Sequence, residues 1–218
     1  MIKTRTLLAS LIAVVFSSVS LHANLLDDGG FELATSGGQQ SNSNWSLNVN
    51  FQDGMEDAAH FQDAPWASNP LGMPGVGVWF KGFEGNQSPG DDVANATLSQ
   101  TVAAGAGTYD LSFYVRHETF FTADRAVVVL SSDQGDSATF DLLGTPNDGA
   151  YNMFAINGFS ASAGTTSLTV QAIMEGGVDS LMNPQSMMLD DFMLVPEPTS
   201  CTLIGLGLAM MAAARRRC

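Results

Sequence analysis

Cysteine is absent from almost all of this 218-residue chain, since Cys201 and Cys218 both lie close to its C-terminal end. The long part that precedes them can form no disulfide of its own, and thiol catalysis is excluded there. Two cysteines at this separation are also too few for a zinc site. Stability must therefore come from a packed core, with a bound ion as additional support in one interpretation.

Basic residues are equally scarce. Residues 24–195 contain three Lys and Arg against twenty-one Asp and Glu, which gives them a formal net charge of −18. Such a surface repels nucleic acid and anionic membranes, so both are excluded as partners. It attracts cations instead, and calcium is the one we expect because it prefers oxygen ligands. For most of these acids, an exposed and soluble surface is explanation enough.

The patterns that mark common enzyme sites are missing as well. The chain has no His-Glu-x-x-His run, no Gly-x-Ser-x-Gly elbow and no glycine-rich phosphate loop before a helix. The dipeptide His117-Glu118 could act as an acid–base pair, although polar residues at a strand end are the commoner explanation. Two of the many carboxylates could also be placed for glycoside hydrolysis. We predict a protein that is not an enzyme, with a glycoside hydrolase as the alternative.

The first 23 residues have the layout of a secretory signal peptide. A basic start is followed by an apolar run over Leu7–Val19 and then by the small residue Ala23. This layout predicts a signal helix and cleavage between Ala23 and Asn24, with cleavage after Ser20 as an open alternative. A retained membrane anchor is the other interpretation of this segment.

Residues 24–195 have the composition of a single β domain. Glycine, serine, threonine and asparagine are frequent, and short strand-like runs recur between turn signals. In Tyr109–Arg116, Leu111, Phe113 and Val115 alternate with polar residues, so one face is apolar. Thr35–Asn44 is predicted to be a loop. The proline-containing stretch Asp53–Gly75 is predicted to form long surface connections. The number and spacing of the predicted strands favour an all-β sandwich or jelly roll. These strands are Gly75–Gly82, Ala96–Val102, Tyr109–Arg116, Ala126–Ser132, Ala138–Leu143, Tyr151–Asn157, Ser167–Met174 and Met187–Val195.

The last part of the chain, residues 196–218, is of a different kind. It joins a stiff Pro196-Glu197-Pro198 spacer, an apolar run over Cys201–Ala214, and three arginines at 215–217. The apolar run is shorter than the roughly twenty residues that a transmembrane helix needs, so on its own it could be a core helix. The arginines favour a short membrane helix that ends on the cytoplasmic side.

The order of these features closely resembles the PEP-CTERM protein-sorting signal of exported bacterial proteins. The resemblance implies that Pro196, Glu197 and Pro198 are recognised by a processing enzyme, an exosortase, which removes the helix. It implies that Arg215, Arg216 and Arg217 act as a topological stop. The inner-membrane anchor is then transient, and the protein reaches the cell surface or the extracellular matrix.

A second resemblance concerns the domain itself. It opens with NLLDDGGFE (24–32) and closes with LDDFMLV (189–195), and LSQTV and AGTYDLSFYVR lie between them. This order resembles the galactose-binding-like jelly roll of carbohydrate-binding modules. The resemblance implies that the first and last strands pair and that a structural calcium lies near their ends.

For that calcium, the resemblance implies Glu32 and Asp190 as carboxylate ligands, with the Gly30 carbonyl nearby. Asp190 and Asp191 are expected to point to opposite faces of a strand, so that at most one of them shares a site with Glu32. The alternative is that Glu32 and Asp190 only form hydrogen bonds at strand ends.

Sugar binding requires exposed aromatic rings. The predicted carbohydrate-binding residues are Trp66, in the proline-flanked loop, and Phe120, Phe121 and Tyr151. Adjacent Phe120 and Phe121 cannot easily both face the core. Trp45 and Trp79 are predicted to be core residues, and core packing is the alternative for each of the other aromatics.

These features together predict an exported, non-enzymatic β-sandwich that acts at the cell surface or in extracellular polysaccharide, with sugar binding as its expected activity. A calcium-stabilised structural or adhesive matrix protein is the alternative from a different class.

Overall fold

A computed structural model describes residues 23–34, 41–50, 52–53, 56–68, 74–85, 93–179 and 186–197 of the chain. These residues form twelve β-strands and one 3-10 turn, Gly82–Glu84. The strands are β1 (Ser46–Val49), β2 (Gln52–Asp53), β3 (Glu56–Asp57), β4 (Ala59–Ser68), β5 (Pro74–Lys81), β6 (Ala94–Ala103), β7 (Gly107–His117), β8 (Arg125–Ser132), β9 (Ser137–Asp141), β10 (Tyr151–Ala161), β11 (Ser167–Gly177) and β12 (Ser186–Pro196).

Ten of these strands form two five-stranded antiparallel sheets. The first sheet has the order β1-β6-β11-β8-β9 and the second the order β10-β7-β12-β5-β4, while β2 and β3 form a separate ribbon. From β5 onwards most connections cross from one sheet to the other, which is typical of a jelly roll. The predicted all-β sandwich is confirmed.

The core lies between the two sheets and follows the alternation of the strands. In β7, Leu111, Phe113 and Val115 are buried, whereas the residues between them are half-buried on the other side of the sheet, as predicted. Phe113 stacks on Phe192 with 5.4 Å between the ring centroids. Trp45 is a core residue, as predicted, and its ring lies 5.5 Å from that of Phe192.

Trp79 is not a core residue, and that prediction was wrong. Its neighbours Val78 and Phe80 are fully buried between the sheets, so the alternation of β5 turns Trp79 to the opposite side. The side chain is half-buried there. The run GVGVWF is apolar at successive positions and therefore hides this alternation.

The proline-containing stretch between residues 53 and 75 is also more regular than predicted. It contains β4, which pairs with β5 from Ala59 opposite Phe80 to Ser68 opposite Pro74, with one shift of register. Proline is tolerated in β4 because β4 is the outermost strand of the second sheet. Trp66 consequently lies on a strand rather than in a loop.

The N-terminal segment completes one side of β12. β5 pairs with β12 only as far as Leu189. Beyond that point the backbone N–H of Leu25 donates to the Leu194 carbonyl at 2.8 Å. The side chain of Asn24 donates to the Phe192 carbonyl at 2.9 Å and accepts from the Leu194 N–H at 2.8 Å. The two ends of the domain therefore contact each other, as the jelly-roll resemblance implied.

Both predicted terminal helices, in residues 1–23 and 196–218, fall almost wholly outside the described residues. Within the ranges that the structure describes, no helix has the length and apolar character needed to cross a bilayer.

Phe192 is expected to be essential for stability, because its ring contacts Phe31, Trp45 and Phe113 in the middle of the core. We predict that Phe192→Ala lowers the free energy of unfolding by about 3–5 kcal/mol. Urea unfolding followed by tryptophan fluorescence measures the change. The matched control is Met193→Ala, since the adjacent Met193 side chain is exposed and its truncation should change stability by no more than about 0.5 kcal/mol. Equal effects of the two substitutions would contradict this assignment of the core.

Candidate functional site

Three acidic side chains gather around the backbone of Gly30. A Cβ atom at Gly30 would lie 3.0 Å from Oδ1 of Asp191, 3.9 Å from Oδ1 of Asp190 and 4.0 Å from Cγ of Glu32. The three residues predicted for a calcium site, Gly30, Glu32 and Asp190, are thus neighbours in the fold. We call Glu32, Asp190 and Asp191 the carboxylate cluster.

A backbone irregularity brings Asp190 and Asp191 to the same place. The pairing of β12 with β7 shifts between Asp190 and Met193, and Asp191 has a φ of 49°, in the left-handed region. The Asp191 N–H donates to Oδ1 of Asp190 at 2.7 Å. The expectation that the two carboxylates point to opposite faces is therefore corrected, since this bulge breaks the alternation of the strand.

Asp190 is a buried acid with an unsatisfied oxygen. Its side chain is 1% exposed, and its Oδ2 has no hydrogen-bond partner among the described residues. Burial, then the charge of Asp191 and more weakly those of Glu32 and Asp28, raise the pKa of Asp190 to about 8. Burial also raises the pKa of Asp191. Neighbouring carboxylates of this kind are stabilised by a shared proton or by a cation.

The alternative, in which these acids only form hydrogen bonds at strand ends, explains part of the geometry. Oε1 of Glu32 accepts from the Val76 N–H of β5 at 3.3 Å, and Oδ1 of Asp190 accepts from Asp191. It leaves Oδ2 of Asp190 unexplained. Carboxylate oxygens suit calcium, but in the described ranges no three His, Cys, Asp or Glu side chains form a metal-holding group by themselves. Carbonyl or water oxygens would have to supply the other ligands.

The second candidate is the side of the second sheet that faces away from the first sheet, which we call the outer face. Pairing of β10, β7, β12, β5 and β4 places five residues in one row across it. The row consists of Tyr151, Arg116, Met188, Trp79 and His60. Tyr151, Arg116 and Trp79 are half-buried, whereas Met188 and His60 are buried, with 1% and 8% of their surface exposed. The next row places Met153 and Tyr114 beside Asp190, so the carboxylate cluster adjoins this face.

Aromatic and cationic groups meet at the β5 side of the outer face. The rings of Trp79 and His60 meet in an edge-on arrangement, with 5.1 Å between their centroids. The centroid of the Phe83 ring lies 5.9 Å from that of Trp79. Nζ of Lys81 lies 5.7 Å from the Trp79 ring centroid. The same Nζ forms a 2.8 Å ion pair with Glu84. Lys81 is thereby held beside the indole.

Tyr151 supplies an uncommitted hydroxyl to the same row. Its phenol oxygen is buried and has no hydrogen-bond partner within the described part of the chain. Burial and the charge of Asp190 raise the pKa of Tyr151 above its ordinary value, and Arg116 opposes them. Arg116 itself donates from Nε to the Gly149 carbonyl at 2.9 Å. A buried donor without a partner is costly unless a ligand or water completes it.

The other predicted sugar-binding residues lie elsewhere. Phe120 is 43% exposed with a φ of 73°, in the turn after β7, whereas Phe121 is 7% exposed and its ring packs against His117. Phe121 therefore offers no accessible ring face, because the turn that exposes Phe120 buries its neighbour. Trp66 lies on β4, but its side chain is outside the described residues.

His117 and Glu118 do not form an acid–base pair. The His117 ring is buried in the core, neither nitrogen has a hydrogen-bond partner among the residues described, and burial lowers its pKa. Glu118 is bound separately, since its Oε2 accepts from the backbone N–H of Ser186 at 3.2 Å and from the Ser186 hydroxyl.

Sequence reasoning missed the outer-face residues His60, Arg116 and Trp79. For Trp79 the sequence signal was ambiguous, because Val76, Val78 and Phe80 form an alternating apolar set on one side of β5 while Trp79 makes the other side apolar as well. The positions of His60 and Arg116 in the same row depend on strand order and register, which a single strand does not reveal.

The family description "PEP-CTERM protein-sorting motif" matches residues 194–217. The chain carries a PEP-CTERM protein-sorting motif. The predicted resemblance is confirmed, and the motif indicates an exported protein that is processed by an exosortase. Only Leu194–Glu197 of the matched region lie within the described residues.

Solved structures show the same fold. A carbohydrate-binding module, TmCBM61 in complex with β-1,4-galactotriose, has a TM-score of 0.51 and 20% identity over 80% of this chain and 99% of its own. The enzymatically active domain of tailspike protein 4 from bacteriophage CBA120 has a TM-score of 0.52 and 14% identity, covering 79% of this chain and 21% of its own. An arabinose-bound α-L-arabinofuranosidase, MgGH51, has a TM-score of 0.50 and 17% identity, and the match covers 84% of this chain and 28% of its own. This chain thus spans only 21% and 28% of the lengths of these two proteins. No curated protein matches it in sequence.

The buried Asp190 predicts an unusual dependence of stability on pH in a buffer that contains a calcium chelator. The pKa of Asp190 is about 8 in the folded state and about 4 in the unfolded state. Between these values the folded protein holds a proton that the unfolded chain releases, so stability falls as the pH rises from about 4 to about 8. Asp190→Asn should remove this contribution and raise the melting temperature above pH 7.

The control for Asp190→Asn is Asp148→Asn, which makes the same chemical change at an exposed acid. Thermal melting at half-unit pH steps measures both variants. A fall in stability that is as steep in Asp190→Asn as in the unaltered protein would show that another group causes it.

Proposed function

We propose that this protein is an exported, non-enzymatic jelly roll that acts at the cell surface or in extracellular polysaccharide and binds neutral carbohydrate on its outer face. The observation that carries the proposal is the row formed by Tyr151, Arg116, Met188, Trp79 and His60. It combines aromatic rings with hydrogen-bonding groups, which is what recognition of a sugar requires.

Each part of the row has a distinct role in this proposal. The indole of Trp79 stacks on the apolar face of a sugar ring, while its contacts with His60 and Lys81 keep it in place. In this proposal the buried phenol of Tyr151 turns outward on binding and donates to a sugar hydroxyl, which supplies the partner that it lacks among the described residues. Trp66 and Phe120, at the edge strand and the β7 turn, remain candidates for contacts farther along a glycan chain.

Charge and fold similarity narrow the ligands to test first. A net charge of −18 over residues 24–195 disfavours polyanionic glycans, because like charges would meet at the surface. TmCBM61, whose structure contains β-1,4-galactotriose, is similar in fold. Neutral galactan is therefore the first ligand to examine, followed by other neutral β-linked polysaccharides.

Substitution of Trp79 tests the proposed binding face. We predict that Trp79→Ala weakens retention on the preferred neutral polysaccharide by about three- to tenfold, since a ring-stacking contact contributes roughly 0.5–1.5 kcal/mol. Affinity electrophoresis measures retention, and circular dichroism verifies the fold. The matched control, Thr97→Ala, alters the first sheet, where Thr97 is half-buried. It should leave retention unchanged.

Tyr151→Phe separates binding from stability. Because the phenol oxygen is buried without a partner in the described residues, removing it should leave the melting temperature unchanged or raise it, yet weaken retention. The binding proposal is wrong if the intact protein is retained by no neutral glycan, or if neither Trp79→Ala nor Tyr151→Phe affects retention.

We also propose a structural calcium at the carboxylate cluster, with Glu32, Asp190 and the Gly30 carbonyl among its ligands. Two observations support it: these groups lie close together, and Oδ2 of Asp190 has no hydrogen-bond partner in the ranges that the structure describes. Calcium would neutralise the carboxylates and tie the N-terminal segment to β12. A protein that calcium stabilises but that binds no glycan would instead be a structural or adhesive matrix protein.

Thermal melting with calcium and with chelator tests this site. We predict that calcium in large excess over its Kd raises stability by about 3 kcal/mol. Glu32→Gln should abolish most of this gain. Glu175→Gln serves as the control, since Glu175 is an exposed residue paired with Arg125 on the first sheet. An absence of any calcium-dependent change in the unaltered protein would exclude the site.

The sorting motif has its own role in the proposal. Pro196, Glu197 and Pro198 are read by the exosortase, the apolar run anchors the chain transiently, and Arg215, Arg216 and Arg217 stop its translocation. A glycoside hydrolase remains the less favoured function. It would be supported if the protein hydrolysed a glycan and if substitution of two carboxylates at the outer face abolished that hydrolysis.

A further inference from the structure

The sorting motif begins inside the sandwich. Val195 pairs with Asp110 of β7, and Pro196, the first residue of the Pro-Glu-Pro sequence, pairs with Tyr109. The backbone N–H of Glu197 then donates to the Thr108 carbonyl at 2.8 Å. Two of the three residues of the Pro-Glu-Pro sequence are therefore held against the sheet.

The other edge of β12 is occupied immediately before the Pro-Glu-Pro sequence. Leu194 receives a hydrogen bond from the Leu25 N–H and donates one to the side chain of Asn24. The Asn24 amide also donates to the Phe192 carbonyl. The chain that leads into the motif is therefore paired on both sides.

This arrangement conflicts with recognition of the motif in the folded domain. An enzyme that reads a short peptide needs its backbone groups and side chains exposed, usually as an extended segment that pairs with the enzyme. Pro196 and Glu197 are half-buried, and the edge of Glu197 that carries its N–H faces β7.

We propose that the folded sandwich withholds Pro196 and Glu197 from the exosortase, and that the end of β12 must separate from β7 before the motif is bound. This proposal rests on one part of the proposed function, which is that an exosortase reads this motif. It does not depend on carbohydrate or calcium binding.

The separation is local. Proline has no N–H, so Pro196 contributes no donor to the ladder, and Val195 to Glu197 are only half-buried. Leu194 and Phe192, in contrast, are almost completely buried in the core. Opening should therefore proceed from Glu197 back to Val195 and stop at Leu194, at a much lower free energy than global unfolding.

A reversible cross-link tests this directly. Val195 and Asp110 lie opposite each other in an antiparallel pair, at a separation that a disulfide can span. The variant Val195→Cys with Asp110→Cys is made in the full-length chain carrying Cys201→Ser and Cys218→Ser, so that no tail cysteine competes. Membranes from the native host supply the exosortase, and mass spectrometry measures loss of the C-terminal segment.

We expect the oxidised variant to be processed at least about tenfold more slowly than the same protein after reduction, because closure by the disulfide removes the open state. Processing of the oxidised and reduced forms at equal rates would overturn the proposal.

Two controls separate this effect from others. Thr101→Cys with Thr169→Cys places a cross-link in the first sheet, where the two hydroxyls lie 2.9 Å apart, and should not slow processing. Each single-cysteine variant should be processed like the background chain. If the background chain itself is never shortened in host membranes, then processing by an exosortase, and with it this proposal, is wrong.

Discussion

The position of β12 in the middle of the second sheet is the constraint on which the rest of the structure depends. β12 pairs with β7 along one edge, while β5 and then the N-terminal segment pair with the other. Its inward residues, including Leu189, Phe192 and Leu194, are buried at the centre of the core. The last strand of the domain therefore relies on the first segment to pair its edge between Phe192 and Leu194.

The same strand connects the three features that bear on function. Its bulge at Asp191 brings two carboxylates to Gly30, and Met188 lies in the row of the outer face. Its final three residues, from Leu194 to Pro196, are the first three of the sorting motif. A cation at the carboxylate cluster would therefore stabilise the strand that also supports the proposed sugar-binding face and precedes the processing site.

Much of this could be predicted from the sequence, because it depends on local pattern. The alternation in Tyr109–Arg116 predicted the buried face of β7, and the ordered tail predicted the sorting motif. The two ends of the domain resemble those of galactose-binding-like jelly rolls. That resemblance predicted the contact between the two ends and the proximity of Glu32 to Asp190.

The parts that could not be predicted depend on the fold as a whole. The left-handed conformation of Asp191 has no marker in the sequence, so the convergence of Asp190 and Asp191 was missed. Trp79 was assigned to the core because apolar residues occupy both sides of β5, and only the packing of the second sheet decides which side is inward. Trp66 was placed in a loop because prolines surround it, although an edge strand accepts proline.

The central claim is that the outer face of the second sheet is the surface that binds carbohydrate. Chemical-shift mapping of the isotopically labelled protein during titration with a neutral β-linked oligosaccharide tests it most directly. The account predicts that the largest shifts occur at Tyr151, Arg116 and the Trp79 indole, which are the half-buried members of the row, with none on the exposed side of the first sheet. Shifts confined to the first sheet would contradict it, as would the absence of any shift with every neutral glycan tried.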